Sequence, residues 1–175
     1  MIPFKNADLK LSGHKPRHIV IHHTSELVES VPVDGDGLDV GKVRNLIYSL
    51  QRENKLGYHV IIERVKADYY PIVCQPWFTD CVWSDIDPMY YSDIHVAFIG
   101  NYDMDMLMDR AYKVLAFQIL VPLSRYFRLD WEDIVLHKEI SSNKELTCPG
   151  EFFDRVRLLE YFRTYYKRGP SITKI

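Results

Sequence analysis

The most constraining feature of this chain is residues 18–24, where Ile19, Val20 and Ile21 are β-branched and run straight into His22, His23 and Thr24. Side chains alternate between the faces of a strand. A run that is apolar on both sides therefore belongs to a strand covered on both sides, as in the interior of an α/β sheet. The same alternation puts Ile19, Ile21 and His23 on one face and Val20, His22 and Thr24 on the other. The adjacent histidines diverge, and one metal ion cannot easily take both.

Similar runs recur downstream. Residues 57–64 read as a second strand, with residues 68–73 as its hairpin partner across a turn near Lys66 and Ala67; Pro71, which cannot donate to a ladder, puts that partner at or near an edge. Residues 94–100 read as a third strand closing at Asn101, Tyr102 and Asp103, and residues 134–137 as a short last one. A helix is expected behind Asp39 as N-cap, with Val43, Leu46, Ile47 and Leu50 on one stripe. Another is expected over 109–127, kinked by Pro122, and a third over 151–167 with a carboxylate at its start. Asp130 is placed to cap a short element through residues 131–133.

Between these elements the chain reads as connection. Residues 1–17, broken by Pro3, Gly13 and Pro16, form an arm; residues 18–155 form the core; residues 156–175 complete a C-terminal helix and tail. His14 and His18 flank the entry to the first strand with no cysteine or carboxylate at ligand spacing, so they read as surface or capping residues. Residues 25–38 carry turn chemistry, and Asp34, Asp36 and Asp39 lack the closing glutamate of a calcium loop. Residues 74–93 follow neither period, and Trp77, Trp83, Tyr90 and Tyr91 suit either packing over a cleft or stacking on a sugar.

A chain of 175 residues, 47% of them hydrophobic, is the size of one domain with a substantial core, and its formal net charge of -2 offers no attraction for nucleic acid or an anionic membrane. Its longest apolar run, residues 114–123, is about half a bilayer crossing. The amino terminus has no basic-then-apolar leader, so the expectation is cytoplasmic synthesis with exit by another route, or a secreted form whose leader has been removed. Three cysteines are too few for a disulfide scaffold. A bridge between Cys74 and Cys81 stays open in an oxidising compartment, because spacing alone does not fix its geometry; Cys148 is then unpaired.

A catalytic zinc site takes three protein ligands and leaves a position for water. Two apolar strands deliver histidines at their far ends, the first at His22 or His23 and the last at His137, and Cys148 follows His137 by eleven residues. Pro149 and Gly150 turn the chain before the expected helix, whose amino end would favour a thiolate.

Four segments now line up. Ile21-His22-His23-Thr24, Gly57-Tyr58-His59, the stretch from Ile94-His95-Val96-Ala97 through Asn101-Tyr102, and His137 with Cys148-Pro149-Gly150 resemble, in that order, the zinc-dependent N-acetylmuramoyl-L-alanine amidases. That family includes the phage lysozyme-type amidases and the peptidoglycan recognition proteins, and the resemblance spans residues 17–155. It implies a single α/β domain, a central mixed sheet flanked by helices with a zinc groove at one end of the sheet. It implies Zn2+ held by His22, first residue of the family's His-x-Thr triplet, together with His137 and Cys148. The implied reaction is hydrolysis of the amide between N-acetylmuramic acid and the L-alanine of a peptidoglycan stem peptide; a monomer is expected, and because the chain ends soon after Cys148 no separate wall-binding domain is expected to follow.

The resemblance also assigns supporting roles. Tyr58 occupies the family's tyrosine position, whose hydroxyl meets the water or the oxyanion. Many active members carry Lys or Thr two residues before the metal cysteine; here that residue is Leu146, so Lys144 is the first substitute and Thr147 the second. Where many bacterial amidases have a Trp-His pair on the cleft wall, Trp83 is followed by Ser84, so that contact is either missing or supplied by His59 or His95, both of which otherwise read as structural. His23, Trp83, Asn101 and Thr147 are the substrate-binding candidates. The alternative is a peptidoglycan-binding module without catalysis; such relatives commonly replace the cysteine, whereas this chain keeps all three ligands.

Overall fold

The structure, a computed structural model, describes residues 15–24, 33–34, 37–38, 57–65 and 67–168. In chain order its strands are β1 (Ile19–His23), β2 (Val33–Asp34), β3 (Gly37–Leu38), β4 (Val60–Val65), β5 (Asp68–Val73), β6 (Ile94–Phe98) and β7 (Ile134–Leu136). The helices are α1 (Asp109–Val114), α2 (Val121–Phe127), α3 (His137–Ile140) and α4 (Arg155–Arg168). Residues 1–14 of the arm, His14 among them, the helix expected behind Asp39 and the tail beyond residue 168 lie outside the described residues, as do residues 35–36.

Five strands form one sheet in the order β5-β4-β6-β1-β7. The β4–β5 hairpin is antiparallel and the pairs β4–β6, β6–β1 and β1–β7 are parallel, so the sheet is mixed. β5, with Pro71, is an edge strand, where a missing N–H costs no ladder bond. β1 sits inside the sheet, in keeping with its two apolar faces.

One face of the sheet builds the main core. Ile19, Ile21, Val60, Ile62, Ile94, Val96, Phe98, Ile134 and Leu136 pack there against Ala111, Tyr112, Leu115, Ile119, Leu158 and Phe162 of the helices. The other face carries His22, His95 and Ile61, all fully buried. Residues 74–93 cover part of it. Their backbone is tied down by buried side chains, His59 Nε2 lying 3.0 Å from the Thr79 carbonyl and His95 Nε2 3.0 Å from that of Tyr90. The segment without a period is thus a fixed cover.

Two helical expectations shift in detail. Between α1 and α2 lies a π-helical stretch, Leu115–Leu120, closed by the Val121 N–H on the Ala116 carbonyl. Proline lacks an N–H and its ring crowds the carbonyl four residues back; the wider turn directly before Pro122 answers that, where a kink was expected. α4 begins at Arg155 rather than residue 151, because Phe153 is buried in the core and Asp154 Oδ1 caps the helix by accepting from the Arg157 N–H at 2.9 Å. The 3-10 turn Trp131–Asp133 is capped by Asp130 as expected. No helix among the described residues is long and apolar enough to cross a membrane.

Candidate metal centre

β1 and β7 run parallel with Ile21 opposite Leu136, so the next residues, His22 and His137, emerge side by side at the carboxyl ends of neighbouring strands. Such strand ends are where open α/β sheets place their ligands. β7 stops at Leu136 and His137 opens α3, not the strand end that the sequence suggested. The two imidazole centroids are 4.5 Å apart. Cys148 arrives on the loop that follows α3, held by the Lys138 N–H on its carbonyl at 2.9 Å.

His22, His137 and Cys148 form a buried group whose ligand atoms all lie within 4.8 Å of one another. Cys148 Sγ is 4.0 Å from His22 Nδ1. Zinc bonds of about 2.0–2.3 Å at tetrahedral angles put ligand atoms roughly 3.5 Å apart, so small side-chain shifts close the group on an ion. Two imidazoles and a thiolate are the donor set that zinc prefers over calcium or magnesium. The residues present fit the metal.

His137 and Cys148 are held by different partners. His137 Nε2 lies 3.0 Å from Asp85 Oδ2, an ion-pair distance, although no well-aligned hydrogen bond reaches that nitrogen. Asp85 is itself fixed by the Ser141 hydroxyl at 2.9 Å. With Nε2 turned to a carboxylate, Nδ1 is the nitrogen left for an ion, a carboxylate–histidine–metal arrangement. The Cys148 sulfur accepts the His23 backbone N–H at 3.3 Å. That amide takes the role expected of a helix terminus, since α4 starts well beyond the cysteine.

Burial sets the charge states. It lowers the pKa of His22 well below 6.5, helped by the neighbouring His95, His137 and His23, and it lowers that of His137 against the pull of Asp85. The Cys148 thiol is pushed up to about 12, again by burial. A thiol so placed keeps its proton until a bound cation displaces it.

The other candidates sit around this group. His23, on the opposite face of β1, is buried; its Nδ1 accepts the Tyr102 N–H at 3.2 Å and its Nε2 is 3.9 Å from Asp103 Oδ2. Tyr58 is buried with its ring edge toward His22, centroids 5.4 Å apart, and its hydroxyl donates to the His23 carbonyl at 3.4 Å. Trp83 stacks on His22 at 5.2 Å and 16°. Lys144 is exposed and its Nζ donates to the Ser141 carbonyl at 3.4 Å. Asn101 spends Oδ1 on the Asp103 N–H at 3.1 Å, closing its own turn. Thr147 is half-buried and its carbonyl accepts the Gly150 N–H at 2.9 Å. Cys74 and Cys81 are not disulfide-bonded, Cys81 Sγ lying 3.3 Å from His59 Nδ1, so the bridge left open by their spacing is not formed.

Asp85 carried no signal in the sequence, because it lies in the irregular stretch and reaches His137 only through the long-range pairing of Ile86 with Ser141. His95 stood out only as a spare imidazole.

No protein-family model matches the chain, and no curated protein does. Solved structures do. The Ph2119 endolysin from the Thermus scotoductus MAT2119 bacteriophage is similar over 90% of this chain and 92% of its own, at 19% identity and a TM-score of 0.60. The N-acetylmuramoyl-L-alanine amidase LysCS from Clostridium intestinale URNW covers 90% and 92% at 20% identity and 0.57. The Drosophila peptidoglycan recognition protein SD covers 85% and 82% at 21% identity and 0.58. At these identities the likeness is one of fold: the chain has the α/β fold common to these amidases and recognition proteins.

Proposed function

We propose that this chain is a zinc-dependent N-acetylmuramoyl-L-alanine amidase, which cuts the amide between N-acetylmuramic acid and the L-alanine of a peptidoglycan stem peptide. The observation that carries the reading is the buried meeting of His22, His137 and Cys148. Three ligands of this kind leave zinc the open position a hydrolase needs, whereas a structural site closes with four. The names of the fold neighbours support peptidoglycan as the polymer met.

Zinc bound there would polarise the scissile carbonyl and lower the pKa of a water beside it. The chain's own residues prepare the site. Asp85 turns His137, and the His23 amide supports the sulfur. Trp83 and Tyr58 wall the His22 side and restrict water there. The developing oxyanion needs donors of its own; Tyr58 and Lys144 are proposed for that task, with Thr147 as substitute. Lys144 must first leave the Ser141 carbonyl. Trp83, His23, Asn101 and Thr147 are proposed to line the muropeptide path.

The second reading, muropeptide binding without hydrolysis, draws on one observation. Lys144 is engaged within its own loop and an apolar Leu146 stands two residues before the cysteine. Digestion of purified cell wall separates the two. Zinc-loaded protein should solubilise wall, chelated protein should not, and Cys148→Ser should lose both metal and activity. A protein that carries almost no zinc and digests wall equally well after chelation rules the amidase out.

A further inference from the structure

His95 stands on β6 opposite Val20, and His22 stands on β1 opposite Ala97, so the two imidazoles are diagonal neighbours on one face of the sheet. They touch: His22 Nε2 is 2.9 Å from His95 Nδ1. Two ring nitrogens at that distance need one proton between them, and the partner on the far side of His95 decides who holds it. His95 Nε2 lies 3.0 Å from the Tyr90 carbonyl oxygen, which can only accept. Nε2 of His95 therefore carries the hydrogen. In a fully buried, uncharged ring this leaves the lone pair on Nδ1.

The consequence passes to the metal centre. Facing a lone pair, His22 Nε2 must donate, and its own lone pair is then on Nδ1, the nitrogen 4.0 Å from Cys148 Sγ. The reverse arrangement sets a bare His95 nitrogen against the Tyr90 oxygen in a place water cannot reach, and aims a hydrogen from His22 Nδ1 into the ligand cluster.

Both ends of the relay are anchored. The Tyr90 carbonyl ends a 3-10 turn capped by Asp87 and also accepts the Asp93 N–H at 3.1 Å. The His95 backbone N–H donates to His59 Nδ1 at 3.0 Å, which pairs that strand to the imidazole tied to Thr79. One face of the His22 ring is covered by Trp83.

We infer that His95 is a positioning residue for the metal centre: through Tyr90 on one side and His22 on the other, it selects His22 Nδ1 as the ligating atom. Where His137 is oriented by a carboxylate, His22 is oriented by a neutral imidazole. This rests on the metal-centre reading above.

Nitrogen-15 NMR of the metal-free wild-type protein tests the relay without any substitution. His22 should show an unprotonated Nδ1 and a protonated Nε2; the opposite assignment overturns the inference. Zinc affinity by chelator competition supplies the second readout. His95→Phe keeps a ring but offers no acceptor, and should weaken zinc about 10- to 100-fold, whereas His95→Asn places an oxygen near the Nδ1 position and should stay within about threefold of wild type. Unchanged affinity in His95→Phe, or equal losses in both variants, overturns it. Should the wild type itself fail to bind zinc, the metal-centre reading falls, and the NMR assignment still decides the tautomer.

Discussion

Asp85 is the side chain that faces the buried His137 from outside the candidate metal cluster. It lies at ion-pair distance from His137 Nε2 and is held by Ser141. Replacing such an outer partner of a ligating histidine typically costs about 10- to 100-fold in metal affinity. Asp85→Asn should therefore bind zinc more weakly by that factor in chelator competition, with the folded circular-dichroism spectrum retained. His59 makes a separate prediction. Burial lowers its pKa from 6.5 to about 4, so above pH 6.5 the folded and unfolded chains agree on its charge, and as pH falls only the unfolded chain takes up the proton. Stability from this residue is full above pH 6.5 and is lost as pH drops toward 4, on the order of 3 kcal/mol in all. His59→Gln, which keeps a donor for Thr79, should flatten urea-unfolding stability against pH across that window by about 1.4 kcal/mol per pH unit. An unchanged slope rejects the assignment. The cluster of His22, His137 and Cys148 was legible because strand ends and a Cys-Pro-Gly turn are local patterns; the residues around it were not, because Asp85 and Tyr90 come from a stretch whose shape is set by pairing with distant strands and loops.

The loop that follows α3 is the element on which the site depends. Gly150 has φ of +126°, and a Cβ there would come within 2.5 Å of the Tyr102 carbonyl oxygen, which is backbone and cannot step aside. Both the conformation and the contact demand glycine. Gly150→Ala should destabilise the protein by about 2 kcal/mol or more, through strain of the kind that costs 1–3 kcal/mol, and displace Cys148 enough to weaken zinc. Thermal denaturation with and without zinc checks it; wild-type stability and metal affinity would refute the role given to the turn. The strands, the hairpin with its edge proline and the Asp130 cap could be read in advance, since alternation and capping chemistry are local. The start of α4 could not. Glu151 and Asp154 both offer a carboxylate, and the choice fell to Asp154 because Phe153 is drawn into the core beside Tyr112, ring centroids 5.4 Å apart. The π-helical stretch was likewise beyond periodicity, being a response to Pro122 within an otherwise continuous helix.

In the molecule as a whole, one sheet serves two purposes with its two faces. The first face packs the helices; the second carries His59, His95 and His22 side by side, and His137 and Cys148 meet His22 at the carboxyl ends of β1 and β7. A net charge of -2 gives no long-range pull toward a polyanion, so the proposed recognition of peptidoglycan would rest on shape and short-range contacts around the cluster. The decisive measurement is mass analysis of defined muropeptides after incubation with the zinc-loaded protein. Scission should release an intact stem peptide with a free L-alanine amino terminus and leave the lactyl group on the sugar. Muropeptides recovered whole from protein that holds zinc and binds them would contradict the amidase and leave a binding module of the same fold.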